Sequence, residues 1–171
     1  MRIEELMASC AGTPEGRMRA IFNALFTICN RLQALFDGSI PEVTLRQFML
    51  LSALKQAGRP LTLTQLGGIL GCSRQNARRV VEVLVRKGLA RLERAPDDAR
   101  AQCAELTPRA RRLLGDEFDR YRAELGALFE DFAQDDVAEL FRLILKLCAG
   151  VDSLEARVAQ RGGADEGNGD V

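Results

Sequence analysis

The apolar positions of the chain fall into a series of short periodic segments, each bounded by turn or cap residues. Ile21, Leu25, Ile28, Leu32 and Leu35 recur at helical spacing, with Phe22, Phe26, Cys29 and Phe36 widening the stripe. This predicts an amphipathic helix over 17–36, ended by Asp37, Gly38 and Pro41, with residues 1–16 left as an N-terminal arm. Thr44 and Gln47 have capping-box spacing: a hydroxyl accepts from the third helical amide while the amide side chain returns to the cap. A second helix therefore runs to Gln56, closed by Gly58. Thr62 and Gln65 repeat the spacing before Leu66, Ile69 and Leu70, which predicts a short third helix turned by Gly71.

Ser73 is an N-cap for a fourth helix carrying Val80, Val81, Leu84 and Val85, and Gly88 follows Arg86 and Lys87, where cations suit the helix dipole. Leu89 to Arg94 and Gln102 to Leu106 are compatible with two strands paired across a polar turn. Thr107 and Pro108 supply an N-cap and an N1 proline for a long helix with the stripe Leu113, Leu114, Phe118, Tyr121, Leu125, Leu128 and Phe132. The last helix carries Val137, Leu140, Ile144, Leu147, Val151, Leu154 and Val158, alternating spacings of three and four. That seam wants a partner helix, either within the chain or in a second chain; Gly150 inside it disfavours a free-standing zipper. The composition of 161–171 predicts a disordered tail.

Charge changes this picture more than composition does. The 171 residues are 47% hydrophobic and 28% charged, enough for a core that hides about 70% of the unfolded surface. Lys+Arg and Asp+Glu tie at 24, yet residues 73–112 hold 11 basic and 5 acidic groups while residues 113–171 hold 6 and 14. A basic block in a neutral chain suits a localised phosphate-binding surface; a solvated helix face is the plainer alternative. Histidine is absent, which removes the commonest general base and metal ligand, and the five cysteines never fall as CxxC. No enzyme activity, metal or cofactor is expected. With no apolar run near the roughly 20 residues needed to span a bilayer, no membrane association is expected either, and a cytoplasmic location fits.

The third helix, the Gly71 turn and the fourth helix form a helix-turn-helix pattern in which Gly67 allows close approach. Two packed helices with a tight turn are also ordinary architecture, but the first turn of the fourth helix is unusually rich in groups that suit DNA. Ser73, Arg74, Gln75, Asn76 and Arg78 are candidates for base contacts, with Arg79, Arg94 and Arg100 for the DNA backbone or a wing and Asp98 as support for that wing. A salt bridge from Arg100 to Asp98 that only shapes the wing is the alternative role for Arg100.

The run Val85-Arg86-Lys87-Gly88-Leu89, then Pro96-Asp97-Asp98-Ala99-Arg100, then Leu106-Thr107, resembles the winged-helix region of the MarR family of bacterial regulators. Asp98, Arg100, Leu106 and Thr107 match the wing spacing, Leu45, Gln47, Phe48, Leu51 and Leu54 resemble the preceding helix, and the likeness spans 17–160. It implies a mainly α fold: a winged helix-turn-helix over 44–107 with a two-stranded β-wing, and a helical dimerisation region from 17–36 and 108–160. It further implies a homodimer on a pseudo-palindromic double-stranded operator, mostly acting as a repressor, released by a small, often aromatic or phenolic effector. Ile21, Leu25, Val137, Ile144 and Val151 would carry dimerisation.

The chain departs from the family pattern in several places. Ala95 and Ala99 replace a common Asp and Arg of the wing, Ala110 replaces a Gly, and Gly67-Gly68 stand where a helix former is usual, at about 1 kcal/mol per glycine. Redox-sensing relatives use a cysteine near the first helix; here Cys29, Cys72 and Cys148 are expected as buried small hydrophobes, leaving Cys10 as the exposed thiol. A cysteine-based redox-sensing regulator and a winged-helix module docking an acidic protein partner are the competing readings; against the second, Gln75 and Asn76 suit adenine edges and add little to a generic charge contact.

Overall fold

The computed structural model describes residues 3–10, 12–39, 42–95 and 98–165. The chain divides after Asp119 into two compact units. Ten elements follow in order: α1 (Ile3–Cys10), α2 (Pro14–Ser39), α3 (Leu45–Ala57), β1 (Leu61–Thr62), α4 (Leu63–Ile69), α5 (Arg74–Arg86), β2 (Ala90–Ala95), β3 (Asp98–Leu106), α6 (Pro108–Leu128) and α7 (Gln134–Asp165). No helix among the described residues is long and apolar enough to cross a membrane.

The arm expected over 1–16 holds helix α1, and α2 starts at Pro14, three residues ahead of the expected Arg17, because the Thr13 hydroxyl accepts from the Gly16 N–H (3.0 Å) and Pro14 takes the first helical position. A Cβ on Gly16 would collide with the Cys10 carbonyl, so this glycine permits the sharp α1–α2 corner. Helix α2 also overruns Phe36 to reach Ser39, and Asp37 in that extension accepts from the Leu45 N–H at 2.6 Å. Thr44 caps α3 by accepting from the Gln47 N–H, and Gly58 closes it with a φ of 62°.

Strand β3 is central in a three-stranded antiparallel sheet of order β1-β3-β2. The β2–β3 wing runs from the pair Ala90 and Leu106 out to Arg94 and Gln102, with an irregularity at Ala95. The expected two-stranded wing thus gains β1, which pairs Leu61 with Ala104 and Thr62 with Cys103. Two residues cannot show a period-two pattern, and Thr62 ends this strand while capping α4 with a complete capping box. The core beneath is made of Phe48, Leu50, Leu51, Leu63, Leu66, Val81, Leu84, Leu89 and Leu114, each under 2% exposed. Each such side chain contributes roughly 1.5 to 3 kcal/mol by leaving water.

The second unit holds the end of α6 and all of α7. Asp136 opens α7 by accepting from the Ala133 N–H (3.0 Å), as an acidic group at a helix start should. The helix then continues to Asp165, five residues into the tail expected to be disordered from 161, since extending a formed helix adds one hydrogen bond per residue fixed. Residues 166–171 lie outside the described residues. Within a single chain, every described side chain of α7, over 134–161, is exposed.

Cysteine placement also differs from expectation. Cys29 on α2 and Cys148 on α7 are exposed in the single chain, Cys72 and Cys10 are half-buried, and Cys103 is buried. The apolar stripes that carry Cys29 and Cys148 face outward here, which is why helical periodicity misjudged their burial.

Candidate nucleic-acid interface

The candidate site lies on α4, its turn and α5. Helix α4 is seven residues long, and its end is built for a tight reversal: Cys72 N–H donates to the Gly67 carbonyl (2.9 Å), and Gly71 takes a φ of 60°. Gly67 is buried, and a Cβ there would lie 2.8 Å from the Cys72 carbonyl oxygen; Gly68 next to it faces open space. The two glycines are therefore unequal, and only Gly67 is required by the approach of backbone to backbone.

Helix α5 divides cleanly into an inner and an outer face. Ala77, Val81 and Leu84 are buried at spacings of four and three, while Ser73, Arg74, Gln75, Asn76, Arg78 and Arg79 are exposed. At about 100° per residue, Gln75, Arg79 and Arg86 stand opposite the buried row, with Asn76 flanking them. Ser73 has a second task that qualifies its expected base contact: its hydroxyl oxygen accepts from the Asn76 N–H (3.2 Å), fixing the helix start from which its neighbours project. Arg78 donates from Nε to Glu82 Oε1 at 2.8 Å, an exposed pair worth only about 0.3 to 0.5 kcal/mol, so releasing it for another acceptor costs little. Among the described residues, Arg74, Arg79 and Arg94 have no ion-pair partner.

Arg94 is exposed on β2, at the pair with Gln102. Asp98 and Arg100 fall within β3, but their side chains, and with them the expected wing support and wing contact, lie outside the described residues. Cys103, on the same strand, donates towards the Glu93 carbonyl (3.7 Å); burial pushes its thiol up, and the Glu93 carboxylate adds to that, which disfavours the thiolate.

Two cations of the basic block point away from the outer face. Lys87, the C-cap of α5, donates to the Glu42 carbonyl (2.7 Å) and to Gln47 Oε1 (2.9 Å). Gln47 is thus not the capping-box partner its spacing suggested; only the Thr44 half of that box forms. Arg109 donates to the Lys87 carbonyl and forms an ion pair with Glu42 Oε2 at 2.8 Å. Thr107, the N-cap of α6, donates its hydroxyl to the Gly88 carbonyl (2.8 Å) and its N–H to the Leu89 carbonyl (3.2 Å). The first turn of α6 consequently takes up three successive carbonyls at the end of α5. A sequence signal for this existed: Arg109 is a cation in the first turn of a helix that has no acid there, the unfavourable end of the dipole.

The residues expected to dimerise are mostly open in the single chain: Ile21, Val137, Ile144 and Val151 are exposed and Leu25 is half-buried. Phe22 and Phe26 extend the α2 face with rings 5.5 Å apart. A cleft of about 240 Å³ lies between the end of α3 and the start of α6, lined by Leu54, Lys55, Arg59, Pro60, Glu105 and Arg111 among others.

Residues 42–101 match the model of the MarR family, the segment that contains the helix-turn-helix and most of the wing. Among solved structures, the chain is similar to a MarR/EmrR family transcriptional regulator from Acinetobacter sp. ADP1, with 21% identity and a TM-score of 0.72 over 79% of this chain and 96% of that one. It is similar to the transcriptional regulator MOSR of M. tuberculosis, solved in complex with DNA, at 23% identity and a TM-score of 0.66, covering 77% and 96%. The PcaV transcriptional regulator from Streptomyces coelicolor, solved with its natural ligand, is 25% identical with a TM-score of 0.63, covering 82% and 95%. No curated protein sequence matches the chain.

Proposed function

We propose, from the premise that residues 42–101 are a MarR-family winged helix and that the chain has the fold of that family's transcriptional regulators, that this protein is a homodimeric DNA-binding repressor. The observation that carries the reading is the first turn of α5: a capped, rigid helix start that presents uncharged Gln75 and Asn76 beside Arg74, Arg78 and Arg79. Amide side chains can pair with both groups of an adenine edge while the arginines take guanine or phosphate. A winged-helix module that merely docked an acidic protein would gain little from the two amides. The DNA complex of the similar mycobacterial regulator supports DNA as the partner.

Dimerisation is supported by the exposed apolar faces of α2 and α7, which a soluble monomer would have to leave in water. An effector that releases DNA is supported by the ligand complex of the similar Streptomyces protein and by the cleft between α3 and α6, where Lys55, Arg59 and Arg111 outnumber Glu105 around apolar Leu54 and Pro60, which suits a small ligand with an apolar body and polar groups. Selection of bound duplexes from a random pool, followed by gel shifts with competitor at stated salt, tests the reading. Enrichment of a pseudo-palindrome is expected; a pool that stays random while the protein is folded and dimeric refutes it.

A further inference from the structure

The clasp at the end of α5 has a function beyond folding. Helix α5 carries its candidate readout groups in its first turn, and its opposite end is held from two sides: Lys87 donates to the Glu42 carbonyl, just ahead of α3, and to the Gln47 side chain, while Arg109 and Thr107 reach in from the start of α6. The readout end rests on α4, where Ala77 is fully buried, so the clasp fixes the second of the two ends that together set the tilt of the helix. Thirteen residues at 1.5 Å rise put the readout turn on the order of 20 Å from the clasp, so a small tilt at Lys87 becomes a displacement comparable to a hydrogen-bond length at Gln75 and Asn76.

We infer that Glu42 and Arg109 are positioning residues for DNA readout, setting the tilt of α5 without touching DNA; the inference rests on the DNA-binding reading above. Arg109 joins the pieces. Its guanidinium spans the Lys87 carbonyl, at the end of α5, and the Glu42 carboxylate, beside the start of α3, and such a fork needs both ends to be in place. Lys87 closes the loop from the other side by donating to the Glu42 carbonyl. The Glu42–Arg109 pair is about half exposed, so its contribution to stability is small and its removal leaves the lobe folded. Alignment, in contrast, matters for every base contact at once.

The test uses the full-length protein, the duplex enriched by the wild type, and an unrelated duplex. Arg109→Ala and Glu42→Ala should each weaken the enriched duplex about three- to tenfold while leaving the unrelated duplex, the salt slope and the melting temperature nearly unchanged. The double variant should lose no more than the weaker single, because both act through one pair. If Arg109→Ala weakens both duplexes alike and lowers the salt slope by about one, Arg109 is a phosphate contact and the inference is wrong. Additive losses, or no loss, overturn it equally. Amide exchange without DNA supplies an independent arm: the N–H groups of Lys87, Gly88 and Leu89, which bond back to Val83, Val85 and Leu84, should exchange faster in Arg109→Ala. Unchanged exchange rejects the clasp even if the wild type selects no duplex at all, and faster exchange in a protein that selects no duplex leaves the clasp standing while rejecting its role in readout.

Discussion

The winged lobe and helix α7 are written in the same periodic pattern of apolar residues and meet opposite fates. In the lobe, Phe48, Leu51, Leu66, Val81 and Leu84 are buried to a few per cent by partners from the same chain. In α7, Val137, Ile144, Val151 and Val158 are 39 to 60% exposed along a helix of 32 residues. The difference separates apolar faces that the chain buries by itself from apolar faces that it leaves exposed. Periodicity reports that a face is apolar; it does not report which molecule covers it.

The largest effects should come from placing the same kind of damage in the two regions. Leu84→Ala removes a side chain with no exposure and should cost about 2 to 5 kcal/mol, seen as a lower melting temperature at every protein concentration. Ile144→Asp should instead turn a particle of twice 18.8 kDa into one of 18.8 kDa by light scattering, with the lobe still folded and cognate DNA binding weakened. A wild type that stays monomeric at micromolar concentration breaks the comparison.

Next in size, Gly67→Ala should destabilise the lobe by about 1 to 3 kcal/mol, the clash with the Cys72 carbonyl outweighing the gain in helix propensity. Gly68→Ala, which meets nothing, should stabilise by roughly 0.5 to 1 kcal/mol. Denaturant melts of the two variants settle this; equal signs would show that the helix-turn-helix packing is looser than the 2.8 Å approach implies.

Thiol reactivity sharpens the same contrast. Cys103, buried with its thiol pushed up, should resist alkylation at neutral pH, whereas Cys29 and Cys148 should react fast in Ile144→Asp and more slowly in the wild type if it dimerises as proposed. Equal rates in both forms would remove α2 and α7 from the dimer interface. The smallest effect concerns Glu139, whose carboxyl is held below its usual range by the hydrogen bonds it accepts from Arg142. A depressed carboxyl stabilises the helix above its unfolded pKa and loses that contribution as pH falls through its folded value. The helicity of α7 should therefore dip slightly on acidification, and Glu139→Gln should remove that part of the dip.

Much of the lobe was legible in the sequence because its boundaries are written in caps. Thr44, Thr62, Ser73 and Thr107 all accept from the third amide, and Gly58, Gly71 and Gly88 all take positive φ. The start of α2 is written in the same language: Thr13-Pro14 repeats Thr107-Pro108, but the apolar stripe begins only at Ile21, so periodicity alone starts the helix at Arg17. What stayed hidden was long-range. A two-residue strand has no pattern of its own, and the partners of Gln47, Lys87 and Arg109 lie far along the chain, so local spacing assigns Gln47 to a cap and gives no sign that the two cations bond within the lobe. The candidate readout residues were legible because they combine an N-cap with exposed amides; the wing contacts Asp98 and Arg100 remain expectations.

Readout by the first turn of α5 stands or falls on the affinities of the wild type, Gln75→Ala and Asn76→Ala for the enriched duplex and for an unrelated duplex at two salt concentrations. Each variant should lose about 1 to 3 kcal/mol on the enriched duplex, with little change on the unrelated one and the same salt slope, since neither side chain carries charge. Equal losses on both duplexes, or none on either, would contradict the assignment of base readout to this helix.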